Sequence, residues 1–246
     1  MKDNFSSASE QYALYRPTYP DTFFSYLKTL IPLPKTAWDC GTGNGQVAVK
    51  LASFFETVYA TDISEAQINQ APKLDNIFYS VQAAEQTTFS DNTFELIMVA
   101  QAIHWFDFEK FYDEVNRTAK NNALLVVIGY GRLEIATEID ALIDTFYKDV
   151  IGSYWDVERH YIDALYQTIP FPFEEVAIPN FNNTYEWTFD HLLGYLSTWS
   201  AVKHYIRING VNPVDELAVD LKKVFGNELR EVNFPLLLRI GRILKS

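Results

Sequence analysis

Residues 38–45 read Trp-Asp-Cys-Gly-Thr-Gly-Asn-Gly, and a second acid, Asp62, closes the downstream segment Thr57-Val58-Tyr59-Ala60-Thr61. Glycines at alternate positions, Gly41, Gly43 and Gly45, let a chain turn tightly and bring its backbone against a ligand, because they lack the side chain that blocks both moves. A carboxylate at the end of the next strand is placed to accept hydrogen bonds from the two hydroxyls of a ribose. Together the two segments read as a strand-loop-helix-strand unit that binds a nucleoside.

Charge narrows the choice of nucleoside. Dinucleotide sites use Gly-x-Gly-x-x-Gly, with a helix start facing a pyrophosphate. Here Asp39 stands just ahead of the glycines, with Thr42 and Asn44 between them. A carboxylate there repels phosphate and attracts an ammonium or sulfonium group. S-adenosyl-L-methionine carries both cations and no phosphate, and it is the cofactor these residues predict. The glycine spacing, and the lack of a Tyr-x-x-x-Lys motif, speak against a nicotinamide-dependent oxidoreductase. No cysteine pair or His-x-x-x-His cluster points to a metal.

Ligands of open α/β sheets bind past the carboxyl ends of the strands. Asp62 should take the ribose there, Ile63 should lie against the adenine face, and Ala84 can offer only backbone hydrogen bonds to the adenine edge. His104 is the one histidine expected at the sheet edge, as a base, as a hydrogen-bond partner of the substrate, or as a packing residue beside Trp105. A further aromatic and basic set lies later in the chain: Trp155, Arg159 and His160, then Tyr195, Trp199, Lys203, His204 and Arg207. The spacing of Trp199, Lys203 and Arg207 puts these three roughly on one helix face.

The glycine loop needs a buried strand before it and a helix after it. Residues 36–40 supply the strand; Val47, Leu51 and Phe54 mark the inner face of the helix. Further strands are expected at 57–61, 77–81, 94–99 and 123–129. Ser64 and Gln67 form a capping-box pattern, and Asp107 caps a helix that carries Phe108, Phe111, Tyr112 and Val115. Asp21 reads as the cap of a helix ended by Pro32 and Pro34, and residues 1–20 as a short helix and a proline-bounded turn. This strict alternation implies a parallel sheet covered on both faces. After Gly131 the pattern changes to helices at 137–151 and 156–168, an extended stretch at 173–187, helices at 190–207 and 213–225, and a last strand around 232–242. Asn212-Pro213 is a cap followed by proline at the first helical position.

The 246 residues are 48% apolar and 15% aromatic, ample for one large core. With 32 acids against 20 bases the net charge is −12, which opposes nucleic acid and anionic membranes. Cys40 is the only cysteine, so no internal disulfide can form. The first twenty residues carry no secretory pattern and no stretch is long enough to span a membrane. A cytoplasmic protein with a small-molecule partner is expected; nothing in the pattern specifies an oligomeric state.

Six segments share a wider likeness: Tyr15-Arg16-Pro17-Thr18-Tyr19-Pro20, the loop 39–45, Ala84-Glu85 with the run Phe89 to Leu96, Ala102-Ile103-His104-Trp105-Phe106-Asp107, Thr198-Trp199-Ser200-Ala201, and Leu238-Arg239-Ile240-Gly241-Arg242. On them the chain resembles the class I S-adenosylmethionine-dependent methyltransferases, and within these the type 11 branch that includes trans-aconitate methyltransferase-like proteins. The resemblance implies one domain, 1–246, with an α/β Rossmann-like fold. Its seven-stranded, mostly parallel sheet would have the order 3-2-1-4-5-7-6, strand seven antiparallel, with helices on both faces and an inserted helical cap at 132–170 and 188–226. It also implies that residues 1–34 form a helical segment over the cofactor, bringing Tyr12 and Arg16 there, and that the backbone at Gln101 and Ala102 faces the methionine part near Gly41. Many relatives carry an acid where this chain has Ala83, so Glu85 is the candidate substitute. The Asn/Asp-Pro-Pro-aromatic motif of base amino-methyltransferases is replaced by Gln101-Ala102-Ile103-His104, against nucleobase substrates. The implied activity is methyl transfer to a carboxylate or hydroxyl oxygen of a small molecule. His104 and Arg16 are the catalytic candidates, and Tyr12, Trp105, Trp155, Arg159, Tyr195, Trp199 and Lys203 the acceptor-side ones. The alternative is a non-catalytic binder of S-adenosylmethionine or S-adenosylhomocysteine.

Overall fold

Strands made of unbroken apolar runs are stable only when both sheet faces are covered, and the chain meets that demand with helices on each side. The computed structural model describes residues 14–245 of the protein. Five strands run parallel: β1 (Thr36–Cys40), β2 (Thr57–Asp62), β3 (Ile77–Val81), β4 (Phe94–Ala100) and β5 (Ala119–Tyr130). The sheet continues with β6 (Glu174–Glu175) and, last in the chain, β9 (Leu236–Arg242), which is antiparallel to both β5 and β6. The order β3-β2-β1-β4-β5-β9-β6 is the expected 3-2-1-4-5-7-6 once strands are ranked within this sheet.

Successive residues of a strand point to opposite faces, and the core divides accordingly. Leu96 and Met98 of β4 pack with Phe23 and Leu27 of α1 (Asp21–Leu30) and Leu51 of α2 (Gln46–Ala52). Ile97 and Val99 face the other way, onto Trp38 and onto Phe111 and Val115 of α4 (Phe108–Thr118). The short α3 (Glu65–Ile68) opens on Ser64, whose hydroxyl accepts from the Gln67 amide, and α4 on Asp107, which accepts from the Lys110 amide. A third apolar cluster lies beyond β5. It joins α5 (Thr137–Thr145), a second two-stranded sheet of β7 (Thr184–Trp187) and β8 (Arg230–Asn233), and the helices α7 (Phe189–Ser197), α8 (Ser200–Asn209) and α9 (Pro213–Phe225). The short α6 (Arg159–Asp163) packs beside the end of β4. No helix among the described residues is long and apolar enough to cross a membrane.

Several local expectations are corrected. Asp21 is the first residue of α1 rather than its cap; Pro20 holds the cap position and Asp21 pairs with Lys50 at 2.6 Å. The helix expected over 137–151 widens at Phe146–Val150, and the one over 156–168 reduces to α6 because Leu165 and Tyr166 take left-handed backbone. Of the extended stretch 173–187, only β6 joins the main sheet. Prolines at 170, 172 and 179 lack the N–H a ladder needs, and Thr184–Trp187 pairs elsewhere, with β8. Pro235 likewise divides the final strand into β8 and β9. The helix expected over 190–207 breaks at Thr198, whose hydroxyl donates back to Tyr195 O at 2.6 Å and so competes with helix continuation.

The described amino-terminal residues dock on α7. A side chain at Gly194 would overlap the ring of Tyr15, which also meets His191 edge-on with ring centroids 5.2 Å apart. Alanine is favoured over glycine inside a helix by about 1 kcal/mol, while its methyl would evict the ring. Gly194→Ala should therefore leave global stability within about 1 kcal/mol and speed protease cleavage around Tyr15. Limited proteolysis beside urea denaturation checks this; equal cleavage of both proteins would show that the Tyr15 contact does not hold the segment.

Candidate functional site

The carboxyl ends of β1, β2, β4 and β5 open into a cleft of about 1060 Å³, its mouth included. The glycine loop forms one wall. Gly41, Gly43 and Gly45 have φ of +71°, +55° and +82°, a region that side chains disfavour. A Cβ at Gly41 would stand 2.7 Å from that of Ala102, whereas one at Gly43 would meet nothing within 4 Å, so the loop is tight at its base and open toward the cleft.

Loops that bind phosphate aim unpaired amides at it. Four amides of this loop are already engaged within the protein. The Gly41 and Thr42 amides both donate to Thr61 O at 2.9 Å, and the Gly45 amide donates to Thr42 O at 3.0 Å. The Gly43 amide donates to Asp62 Oδ2 at 2.8 Å, and the Ser64 amide to Asp62 Oδ1 at 2.9 Å. These two bonds fix the Asp62 carboxylate at the cleft.

Asp39 is fully buried. Its Oδ2 accepts from Thr42 Oγ1 at 2.6 Å, and its Oδ1 has no hydrogen-bond partner. Burial pushes its pKa up to about 7, helped by the charge of Asp62 and opposed by the Thr42 hydroxyl and the nearby Ala48 amide. Two acids against one base among the described lining residues suit a cationic ligand. The residues present therefore fit S-adenosylmethionine: an orphaned buried carboxylate oxygen answers a positive charge, and the open face of Gly43 admits close approach.

The opposite wall begins at Gln101, a non-glycine residue with φ of +53°. Its side chain offsets that strain by bridging to β5, accepting from the Tyr130 amide at 2.9 Å. Gly129 makes this possible, since a Cβ there would stand 2.6 Å from Gln101 Oε1. Above lies Arg16. Its Nε donates to Thr198 Oγ1 at 2.9 Å, Nη2 to Thr198 O at 3.1 Å and Nη1 to the Tyr130 hydroxyl at 3.2 Å. A guanidinium on the last carbonyls of α7 is where the helix dipole favours positive charge.

The cleft brings together most of the residues expected there. Asp39, Gly41, Thr42, Gly43 and Asn44 line it, as do Asp62, Ile63 and Ala84, and Gln101, Ala102, Trp105 and Arg16. Tyr12 lies outside the described residues. Glu85 is not in the lining; its carboxylate accepts from the Asp107 amide at 3.0 Å and braces the start of α4. His104 also lies outside the lining. Its Nδ1 is 3.1 Å from the Tyr166 hydroxyl, and burial together with the Arg159 charge lowers its pKa to about 3. Trp155, Arg159, Tyr195, Trp199 and Lys203 form a layer behind the Arg16 wall. Arg16 lies over the Tyr195 ring at 5.4 Å, Tyr195 is 5.8 Å from Trp199, Trp199 is 5.6 Å from Trp155, and Arg159 lies over Trp155 at 4.7 Å. Lys203 is half-buried, and burial and the Arg16 charge lower its pKa. Tyr130, at the strand end where a ligand is expected, also lines the cleft, whereas sequence reading missed Tyr19, Gln46, Gln67, Gln82 and Phe106 as lining residues. Tyr19 and Phe106 stood inside noted motifs and Gln46 next to the loop. Gln67 stood in the capping-box pattern, and Gln82 carried no local signal.

A methyltransferase-domain model matches residues 38–127. A candidate methyltransferase of Dictyostelium discoideum is 32% identical over 98% of this chain and 95% of its own length. A solved structure of a candidate type II methyltransferase from Anaeromyxobacter dehalogenans is 38% identical, covers 94% of this chain and 100% of its own, and superimposes with a TM-score of 0.86. A candidate S-adenosylmethionine-dependent methyltransferase of Saccharomyces cerevisiae is 22% identical over 94% of this chain and 89% of its own.

The neutral state of His104 has a measurable consequence. Its folded pKa lies below the unfolded value, so between about pH 3 and 6.5 the unfolded chain binds more protons and stability falls as pH falls. Asp39, with a raised folded pKa, acts with the opposite sign over part of this window. Comparison with His104→Gln isolates the histidine. Wild type should lose about 1.4 kcal/mol relative to the variant for each pH unit below 6, read from urea midpoints between pH 4 and 7. Parallel profiles would mean that His104 titrates near its ordinary value.

Proposed function

Since this chain belongs to the class I S-adenosylmethionine-dependent methyltransferases, with S-adenosylmethionine as the cofactor of its methyl transfer, we propose that the acceptor is a small molecule methylated on a carboxylate oxygen. The observation that carries this reading is the Arg16 guanidinium in the cleft wall, beside a histidine that is turned away from the lining and kept neutral. A carboxylate is ionised at neutral pH and needs no base. It needs a positive charge to offset desolvation and a fixed direction of approach. A hydroxyl would need a base in the cleft, and the described lining holds no histidine.

When bound, the cofactor supplies a methyl group already activated on a sulfonium, so the protein's task is alignment and exclusion of water. Asp62, held by the Gly43 and Ser64 amides, would receive the ribose hydroxyls. Ile63 and Ala84 would flank the adenine, and the left-handed backbone at Gln101 would offer the ammonium group a carbonyl, with Ala102 and Gly41 beside it. Arg16 would orient the acceptor carboxylate. Lys203, and Arg159 across the Trp155, Trp199 and Tyr195 layer, would add positive potential on that side. Trp105, Tyr19 and Tyr130 would exclude water. In this reading residues 132–170 and 188–226 cap the acceptor side, and the segment before residue 34 closes over the cofactor.

Asp62→Ala should weaken cofactor binding by about 1.5–3 kcal/mol, the range for hydrogen bonds to a charged group. Calorimetry with S-adenosylmethionine, and with a nicotinamide dinucleotide as the non-binding control, measures this; a folded variant that binds as tightly as wild type would remove Asp62 from the ribose site.

The acceptor class is tested with a panel of small carboxylates and phenols, using wild type and His104→Gln in parallel. Methyl esters should form from carboxylates, with the variant within about tenfold of wild type. Turnover confined to phenols or alcohols, lost a hundredfold or more in His104→Gln, is the signature of a general base and would overturn the carboxylate reading.

A further inference from the structure

The glycine-loop half of the cleft is built from groups that are neutral or negative. Facing Asp39 are Thr42 in the loop, Ala48 of α2 through its amide, Asp62 at the end of β2 and Tyr79 on β3, while the adjoining Cys40 points to the other face of the sheet. Met98 is its neighbour in register on β4, and Glu85 acts on the adjoining Cys40. Burial holds the Cys40 thiol and the Tyr79 hydroxyl in their neutral forms at physiological pH, the latter pushed up to about 12. Arg16, the base of the described lining, is engaged by Thr198 and Tyr130 on the other wall.

A fully buried carboxylate with one unpartnered oxygen and an acid for a neighbour is costly to ionise. It must carry a proton or receive a cation. Resting on the cofactor assignment above, we propose that Asp39 is a charge-selecting residue: it holds a proton in the empty protein and yields it to solvent when the cationic cofactor enters, so that binding expels a proton. The Asp39 O–H bond breaks, the proton passes to buffer, and the carboxylate left behind is balanced by the cofactor's positive charge. Direct contact is unnecessary. At an effective dielectric of about 20, a positive charge about 5 Å away shifts a carboxyl by about two pKa units, a hundredfold in ionisation. Asp39 is poised for this, since its raised pKa of about 7 leaves the proton half-held at neutral pH. The cofactor site thereby prefers a cation to a neutral analogue and binds more weakly in acid.

Titration of S-adenosylmethionine into the protein by calorimetry, in pairs of buffers with different ionisation heats, counts the protons. Release attributable to Asp39 should approach one at pH 6, be about one half at pH 7 and be small at pH 8.5, with the dissociation constant rising up to about tenfold per pH unit below 7. Asp39→Asn supplies the subtraction, which also removes the contribution of the cofactor's own amine. Thr42→Val keeps the carboxylate but deletes the donor on Oδ2; the pH of half-release should move upward by about one unit, since a bond to the charged form is lost. Equal proton counts in wild type and Asp39→Asn would overturn the proposal. If Asp39→Asn binds too weakly to titrate, a Thr42→Val profile superimposed on that of wild type would overturn it instead. Wild-type protein that fails to bind S-adenosylmethionine at all would sink the cofactor assignment; binding without proton release would sink this inference alone.

Discussion

A parallel sheet covered on both faces can gather loops only at its ends, and the connections of this chain put the carboxyl end of every central strand at one edge. The sheet faces are closed by α1 and α2 on one side and α4 on the other. Chain segments far apart in sequence therefore meet in one place: the loop after β1, Asp62 after β2, Gln101 after β4, Tyr130 at the end of β5 and Arg16 from before α1. The position of the cleft follows from that constraint before any ligand is considered.

Within the cleft, charge is divided between two walls. The glycine loop turns the amides of Gly41, Thr42 and Gly43 onto Thr61 and Asp62. Asp39 and Asp62 make that wall acidic, with Asp39 destabilised as an ion by its own burial. The facing wall carries Arg16, held by the carbonyl end of α7, and behind it Lys203, whose charge is disfavoured by burial and by Arg16. The cleft thus sets an acidic wall beside a basic one, even in a chain whose net charge is −12.

Arg16 also has a structural role. It joins the amino-terminal segment, the end of β5 and the break between α7 and α8 through three hydrogen bonds. The break exists because the Thr198 hydroxyl turns back onto Tyr195, and the Thr198 carbonyl is thereby free to accept from the guanidinium. Tyr15 on Gly194 reinforces the same junction. The third apolar cluster, rich in Trp and Tyr, thus reaches the cleft wall through a few polar contacts.

The strand and helix pattern up to Tyr130, the glycine loop and its two acids could be read from the sequence because each is local: apolar runs mark buried strands, glycine spacing marks a turn, and an acid at a strand end has few places to go. The later half was harder. Prolines and side-chain-to-backbone bonds divide segments that periodicity joins, as at Thr198 and Pro235. The direction a side chain faces at a loop was beyond it altogether. Sequence placed His104 at the sheet edge, where it is; packing against Tyr166, which comes from a distant segment with left-handed backbone, turns its ring away from the lining. The same holds for Glu85, drawn to the Asp107 amide, and for the unpartnered oxygen of Asp39. Sequence by itself determined which chemical groups gather at the edge, because that depends on local backbone preference and burial. Only tertiary structure decided which of them face the cleft and in what charge state, because both depend on partners brought from far along the chain and on how completely water is excluded.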